Sequence, residues 1–246
     1  MLIAIAESPR IPRAARFPFL APFQKVGRVF WAPEALFQTI RRQPDWVTPF
    51  LVVSIVSLLL SLAAEPFATR AAWQAIPAET PVEQIELLQR QIAFGQKVGA
   101  ILTPALLLVK ALLGALLLTL LMIAWTGQGD YRRAFSTINY LSVPLTLAGL
   151  GNLLVLRLRG LEQIGGFQDL QARFGLNLFF PATHPALDAF LGALNPFDLW
   201  QVILLAIAVR CIAPCARKTA ICVATSYWLL GAALQVGVAF LWQAGS

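Results

Sequence analysis

Residues 102–125, LTPALLLVKALLGALLLTLLMIAW, are apolar almost throughout and carry a single charge, Lys110. About 20 apolar residues cross the hydrocarbon core of a bilayer as a helix, which satisfies its own backbone hydrogen bonds where water cannot. The run therefore predicts a transmembrane helix and dictates what the rest of the chain must be. Four other stretches fit or nearly fit, giving predicted spans at about 46–64, 100–125, 137–156, 198–213 and 220–242. The fourth is short and holds Arg210 near its end, where a long side chain can reach the headgroups. A content of 58% hydrophobic and 13% charged residues, with mean hydropathy +0.71, exceeds what a soluble domain needs and fits a polytopic membrane protein. The predicted fold class is all-α with five transmembrane helices. Residues 1–29 form a basic arm, 30–242 one membrane domain, and 243–246 a tail.

The opening stretch, MLIAIAESPRIPRAAR, is not expected to act as a signal peptide. Its apolar run is about six residues and precedes the charges, where about 7–15 residues after them are required. The first span is expected to direct insertion. The net charge of +7 would suggest nucleic acid in a soluble chain. Beside apolar spans it is read as anchoring to anionic lipid on the cytoplasmic face, with no nucleic-acid partner. The N-terminal arm and the second and fourth connections hold twelve Lys and Arg against four acids; the other two loops hold six against eight. That asymmetry predicts a cytoplasmic N-terminus and a C-terminus outside. The preponderance of Arg over Lys, with abundant Ala and Leu, is read as a bacterial chain of the inner membrane.

Outside the spans, PEALFQTIRR places Leu36, Phe37 and Ile40 on one helical face, which predicts a short helix lying in the membrane surface with Arg41 and Arg42 beyond it. Arg13 and Arg16 belong to the preceding irregular arm. TPVEQIELLQ predicts a helix opened by a capping box, with Thr80 as N-cap, Pro81 first and Glu83 third, that runs towards, or into, the second span. A further helix is predicted near 161–174. The apolar segment 180–197 is too short and broken to span; it dips in from the outer face or packs on the bundle.

Lys110 sits roughly 15 Å inside the outer end of its span. Gln96, Gly99, Thr103, Lys110 and Gly114 fall on one stripe at 100° per residue, which turns Lys110 towards the bundle. Glu65 and Asp198 are its candidate partners. A packing or snorkelling lysine stands beside the reading of a polar cavity. In NPFDLW, Asn195 caps a helix, Pro196 suits its first turn, Asp198 favours its positive end and Trp200 suits the interface. Pro144 interrupts the third span and predicts a kink there. Cys211 and Cys215 lie four apart with no further ligand nearby, and no metal or cofactor is expected. The chain has no phosphate-binding loop, no HExxH, no GxSxG and no intramembrane cluster of His, Asp or Glu, so an enzyme is not expected.

Three segments carry a resemblance. FWAPEALFQTIRRQPDWVTPFLV, with Pro33, Phe37, Pro44, Trp46 and Pro49, resembles the start of the first span in Yip-domain proteins (the Ypt/Rab-interacting family). GQGDYRRAFSTINYLSVPLTL is similar to the family's second signature, a Gly-rich inner turn followed by Tyr140 and Pro144. LNPFDLWQVILLAIAVRCIAPCARK resembles the third, with Asn195, Phe197 and Trp200 as anchors. The family commonly has a Gly late in the fourth span, where this chain reads LAIAVR. The resemblance implies a five-span fold and a role in organising membranes or partner proteins, without catalytic residues. The expectation is a non-enzymatic scaffold or adaptor. It would act on lipids, on a protein partner or on a second copy of itself. A small transporter, channel or lipid-moving protein with a polar path near Lys110 is the alternative.

Overall fold

The computed structural model describes residues 21–77, 79–180 and 184–244, and these form helices and turns with no strand. In chain order the helices are α1 (Ala21–Trp31), α2 (Pro33–Arg42), α3 (Val47–Gln74), α4 (Val82–Thr126), α5 (Tyr131–Arg159), α6 (Pro185–Ala193), α7 (Pro196–Ile212) and α8 (Arg217–Ala244). Four of them, α3, α4, α5 and α8, are long and apolar enough to cross a membrane. α7 has 17 residues, about 25 Å, which falls short of a hydrocarbon core of about 30 Å. Together with α6, across a break bent by 56°, it makes a fifth candidate span. The segment 180–197 therefore contributes a short helix that packs on α8 and leads directly into α7.

α5 lies at the centre, packed on α3, α4 and α7, while α8 closes the bundle against α4, α6 and α7. Lipid supplies no hydrophobic force between helices, so close van der Waals fit has to hold them together, and small residues permit it. The seams carry them: Ala111 and Ala115 of α4, Ala208 of α7 and Ala220 and Ala224 of α8 are buried. The large side chains Ile55, Leu59, Leu106, Leu113 and Leu120 point outward and are exposed, as lipid-facing positions should be. A second small core of Phe67, Ala71, Leu156 and Ile164 joins the far ends of α3 and α5 to the following loop.

Several local expectations are revised. Thr80 does not cap α4. Its hydroxyl donates to the Pro77 carbonyl at 2.7 Å, Pro81 occupies the N-cap position, and the helix starts at Val82. From there α4 runs unbroken for 45 residues, about 68 Å, so the outer helix and the second span are one rod. α3 likewise continues past its predicted end at 64, through Pro66 to Gln74, and Thr69 and Gln96 hydrogen-bond the two extensions together. The helix predicted near 161–174 is two 3-10 turns, Leu161–Gln163 and Phe167–Leu170. Gly160, at φ 81°, ends α5. The Asp169 carboxylate then accepts from the backbone N–H of Gly165 and of Gly166, a local bond that competes with helix. α5 runs through Pro144 without interruption. At the turn before it, Gly127 adopts φ 70° to close α4, and Asp130 caps α5 by accepting from the Arg133 N–H.

Candidate functional site

Asp45 joins three helices. The Lys25 ammonium of α1 donates to its Oδ2 at 2.7 Å, and the Thr48 N–H and hydroxyl, in the first turn of α3, donate to Oδ1 and Oδ2 at 3.3 and 3.0 Å. Its backbone N–H donates to the Ser136 Oγ of α5, and that hydroxyl donates back to the Asp45 carbonyl at 2.6 Å. Partial burial alone would raise the carboxyl's pKa, but the Lys25 and Thr48 hydrogen bonds and the Lys25 charge outweigh it and hold it below 3.8. Around this joint the motif residues do packing work. Trp46 lies 5.2 Å from Phe135 and 6.0 Å from Phe50, Pro49 is buried, and Pro44 is half-buried in the preceding turn. Tyr140 is fully buried, with its hydroxyl beside the Asp45 carboxylate.

With α1 anchored, α2 is laid along α7 and α5. Leu36, Phe37 and Ile40 are 1%, 0% and 0% exposed, inside the protein. This corrects the expectation that the apolar face of a surface helix enters the membrane: α7 and α5 take the place of lipid. The opposite face of α2, with Glu34, Gln38, Arg41 and Arg42, remains exposed and meets Ile207, Arg210 and Cys211 of α7 across a cleft of about 610 Å³. The Cys211 thiol reaches the Glu34 carbonyl at 3.8 Å. In the sequence Arg210 is a side chain that can snorkel and one of the twelve basic residues on the same side as Arg41 and Arg42; nothing in spacing alone brings the three into one cleft. Arg13 and Arg16 lie outside the described residues.

Lys110 lines a second cavity, about 230 Å³, between the helices. Ser57 of α3, Asn139, Ser142 and Thr146 of α5, Gln201 of α7 and Tyr227 of α8 line it too. Asn139 is 3% exposed and its amide donates to the Phe135 carbonyl. The Ser142 and Thr146 hydroxyls donate to the Ile138 and Val143 carbonyls, beside Pro144, which offers no N–H of its own. The α5 share of the polar lining is thus provided by the turns around the proline. Gln201 and Tyr227 also line a smaller hollow of about 80 Å³ that holds Asp198 and Gln235. Asp198 senses the charge of Lys110 without forming an ion pair with it; the ion pairs among the described residues are Lys25–Asp45 and Arg133–Asp130.

The other candidate partner of Lys110 is placed elsewhere. Glu65 is exposed in a groove with Gln96, Lys97 and Gly99, ten or more residues from Lys110 along α4, a separation of roughly 15–20 Å. The length of the continuous rod accounts for the separation. Only the ends of the stripe meet other helices: Gln96 bonds to Thr69 of α3, and a Cβ on Gly114 would come within 2.7 Å of the Tyr227 hydroxyl of α8, while Gly99 and Lys110 between them are exposed. Thr103 donates to the Gly99 carbonyl of its own helix at 2.9 Å and does not line the Lys110 cavity.

Asn195 caps α7 as its sequence predicts, accepting from the Asp198 N–H at 2.9 Å while its amide donates to the Asp198 carboxylate at 2.7 Å. Phe197 meets Phe174 edge-on at 5.7 Å. Trp200 meets Phe30 of α1 at 6.3 Å, so the N-terminal helices reach well along α7. Cys211, Cys215 and Cys222 are free thiols. Burial pushes the Cys215 thiol up despite the charge of Arg210, which leaves it protonated and a poor ligand or nucleophile near neutral pH. Among the described residues no three His, Cys, Asp or Glu come together.

No curated protein and no solved structure matches the chain. The family model of the Yip1 domain matches residues 27–238, from within α1 to near the end of α8 and across both cavities. A helical membrane bundle, the three signature segments in order and a match over most of its length together place this chain in the Yip1 domain family.

Proposed function

We propose that the protein is a non-enzymatic scaffold or adaptor of a bacterial inner membrane, with its N-terminus in the cytoplasm and its C-terminus outside. The observation that carries this reading is the cleft between α2 and α7. It sets Arg41, Arg42 and Arg210 on a rigid frame, at the end of the bundle where the Lys and Arg excess lies. Such a cleft attracts an acidic partner and fixes its register more than it adds raw affinity. A photocrosslinking probe at Gln38, which lines the cleft, should capture a recurrent protein neighbour in native membranes. Replacing Arg41 and Arg42 by Glu should reduce that capture at least tenfold. Capture unchanged by the double substitution would remove the cleft from the adaptor reading.

The Lys110 cavity favours a second reading, a small transporter or channel. Five helices contribute polar side chains to it, and Gln201 and Tyr227 connect it to the hollow that holds Asp198. On that reading Lys110→Met alters flux in reconstituted vesicles and leaves the unfolding temperature unchanged. A lysine that serves packing alone predicts the reverse.

A further inference from the structure

We infer that the cleft between α2 and α7 is a built site for the phosphate headgroup of one anionic phospholipid from the adjoining leaflet; this deepens the adaptor reading and rests on it for the side of the membrane. Three guanidinium groups from opposite parts of the chain line one cleft, with Glu34 as the single carboxylate in its wall. None of the three is in an ion pair among the described residues. Like charges brought together by a packed fold repel, and an anion between them removes that cost. Each guanidinium offers a planar fork of donors that matches phosphate oxygens two at a time. The frame is set in advance, because the buried Leu36, Phe37 and Ile40 fix α2 on the bundle.

The surface next to the cleft selects a lipid over a soluble phosphate. Ile207 lines its wall one turn further into α7 than Arg210. Ile203 and Trp200 continue the same helical stripe and are 62% and 46% exposed. A headgroup held by Arg210 would therefore have its acyl chain along an exposed apolar track running into the membrane. The volume of about 610 Å³ exceeds what a bare phosphate needs and lies within the range of small-molecule sites. The formal charge of the wall, three cations against one anion, favours an anionic over a zwitterionic lipid.

The test uses the full chain in nanodiscs of phosphatidylcholine doped with phosphatidylglycerol, with lipid retained on the protein counted by native mass spectrometry. Phosphatidylglycerol should be retained preferentially. Arg210→Gln, and separately Arg41→Gln with Arg42→Gln, should lower its retention about tenfold, the scale of a lost charge-assisted hydrogen bond. Arg132→Gln with Arg133→Gln removes as much charge as the double variant from the first turn of α5, outside the cleft lining, and should leave retention unchanged. Equal loss in that control, or equal retention of phosphatidylcholine, overturns the site. Displacement of the lipid by millimolar inorganic phosphate overturns the lipid as the source. Because all three arginines are exposed, their variants should keep the wild-type circular dichroism, and the two cleft variants check each other. Lipid retention that follows the cleft, with Gln38 crosslinks unmoved by the Glu substitutions, sinks the adaptor reading alone. Crosslinks that follow the cleft without any lipid preference sink this proposal alone.

Discussion

Single residues in this protein act chiefly by what they join. Asp45 sits inside a signature segment whose visible members are Pro33, Phe37, Pro44, Trp46 and Pro49, yet its carboxylate ties α1 to α3 and its backbone N–H and carbonyl tie both to α5. Asp45→Ala should cost about 1 kcal/mol through the hydrogen bonds lost to Thr48 in the first turn of α3, with a further loss from freeing Lys25. Its pKa is lowered in the folded protein, so its contribution is full above the ordinary value of 3.8 and is lost as pH falls through the depressed folded value. The difference in unfolding temperature between wild type and Asp45→Asn should therefore be large at pH 7 and shrink below about pH 4. Gly114 is a second joint. A Cβ there would lie 2.7 Å from the hydroxyl of Tyr227, a ring held in the α8 seam. Gly114→Leu should destabilise the α4–α8 pair by about 1–3 kcal/mol, read as earlier thermal unfolding in detergent. The stripe that carries Gly114 could be read from spacing alone, because 100° per residue is a property of any helix. Its partners could not, because Tyr227 arrives from a helix more than a hundred residues later.

At the scale of elements, the difference between expectation and structure lies in what covers a face. The apolar stripe of α2 was plain in the sequence, but a stripe of Leu36, Phe37 and Ile40 is satisfied equally by lipid or by another helix. Length and the Asp45 joint decide it, by setting α2 against α7. Gly175 shows the same dependence in the loop before α6. A Cβ there would stand 2.5 Å from the Leu191 carbonyl and 2.6 Å from that of Gly192, both backbone atoms that cannot turn aside. Gly175→Ala should therefore separate this loop from α6, at a cost of about 1–3 kcal/mol. Faster amide exchange over 176–178 and 191–194 would register it, since the Leu176 N–H donates to the Leu194 carbonyl across that seam. The helix expected near 161–174 is broken by its glycines, Gly160, Gly165 and Gly166. Asp169 bonds locally to two of them and settles the backbone in turns.

For the whole molecule, α6 and α7 decide the topology. If they cross together the two ends of the chain lie on opposite sides; if α7 only dips in, they lie on the same side. Protease treatment of inside-out vesicles should remove a tag at the N-terminus and spare one at the C-terminus. Removal of both would show that the bent pair does not cross. Read alone, the residues make this a helical membrane protein, place the middles of its apolar rods and mark which end bears the positive charge. Each of these follows from local composition, because a bilayer accepts only segments that close their own hydrogen bonds. Packing settles the rest: α2 lies on protein, Glu65 is far from Lys110 while Asn139, Gln201 and Tyr227 come near it, and Arg210 joins Arg41 and Arg42. Those are meetings of residues distant in the chain, set by how α5, α7 and α8 fit along their small-residue seams.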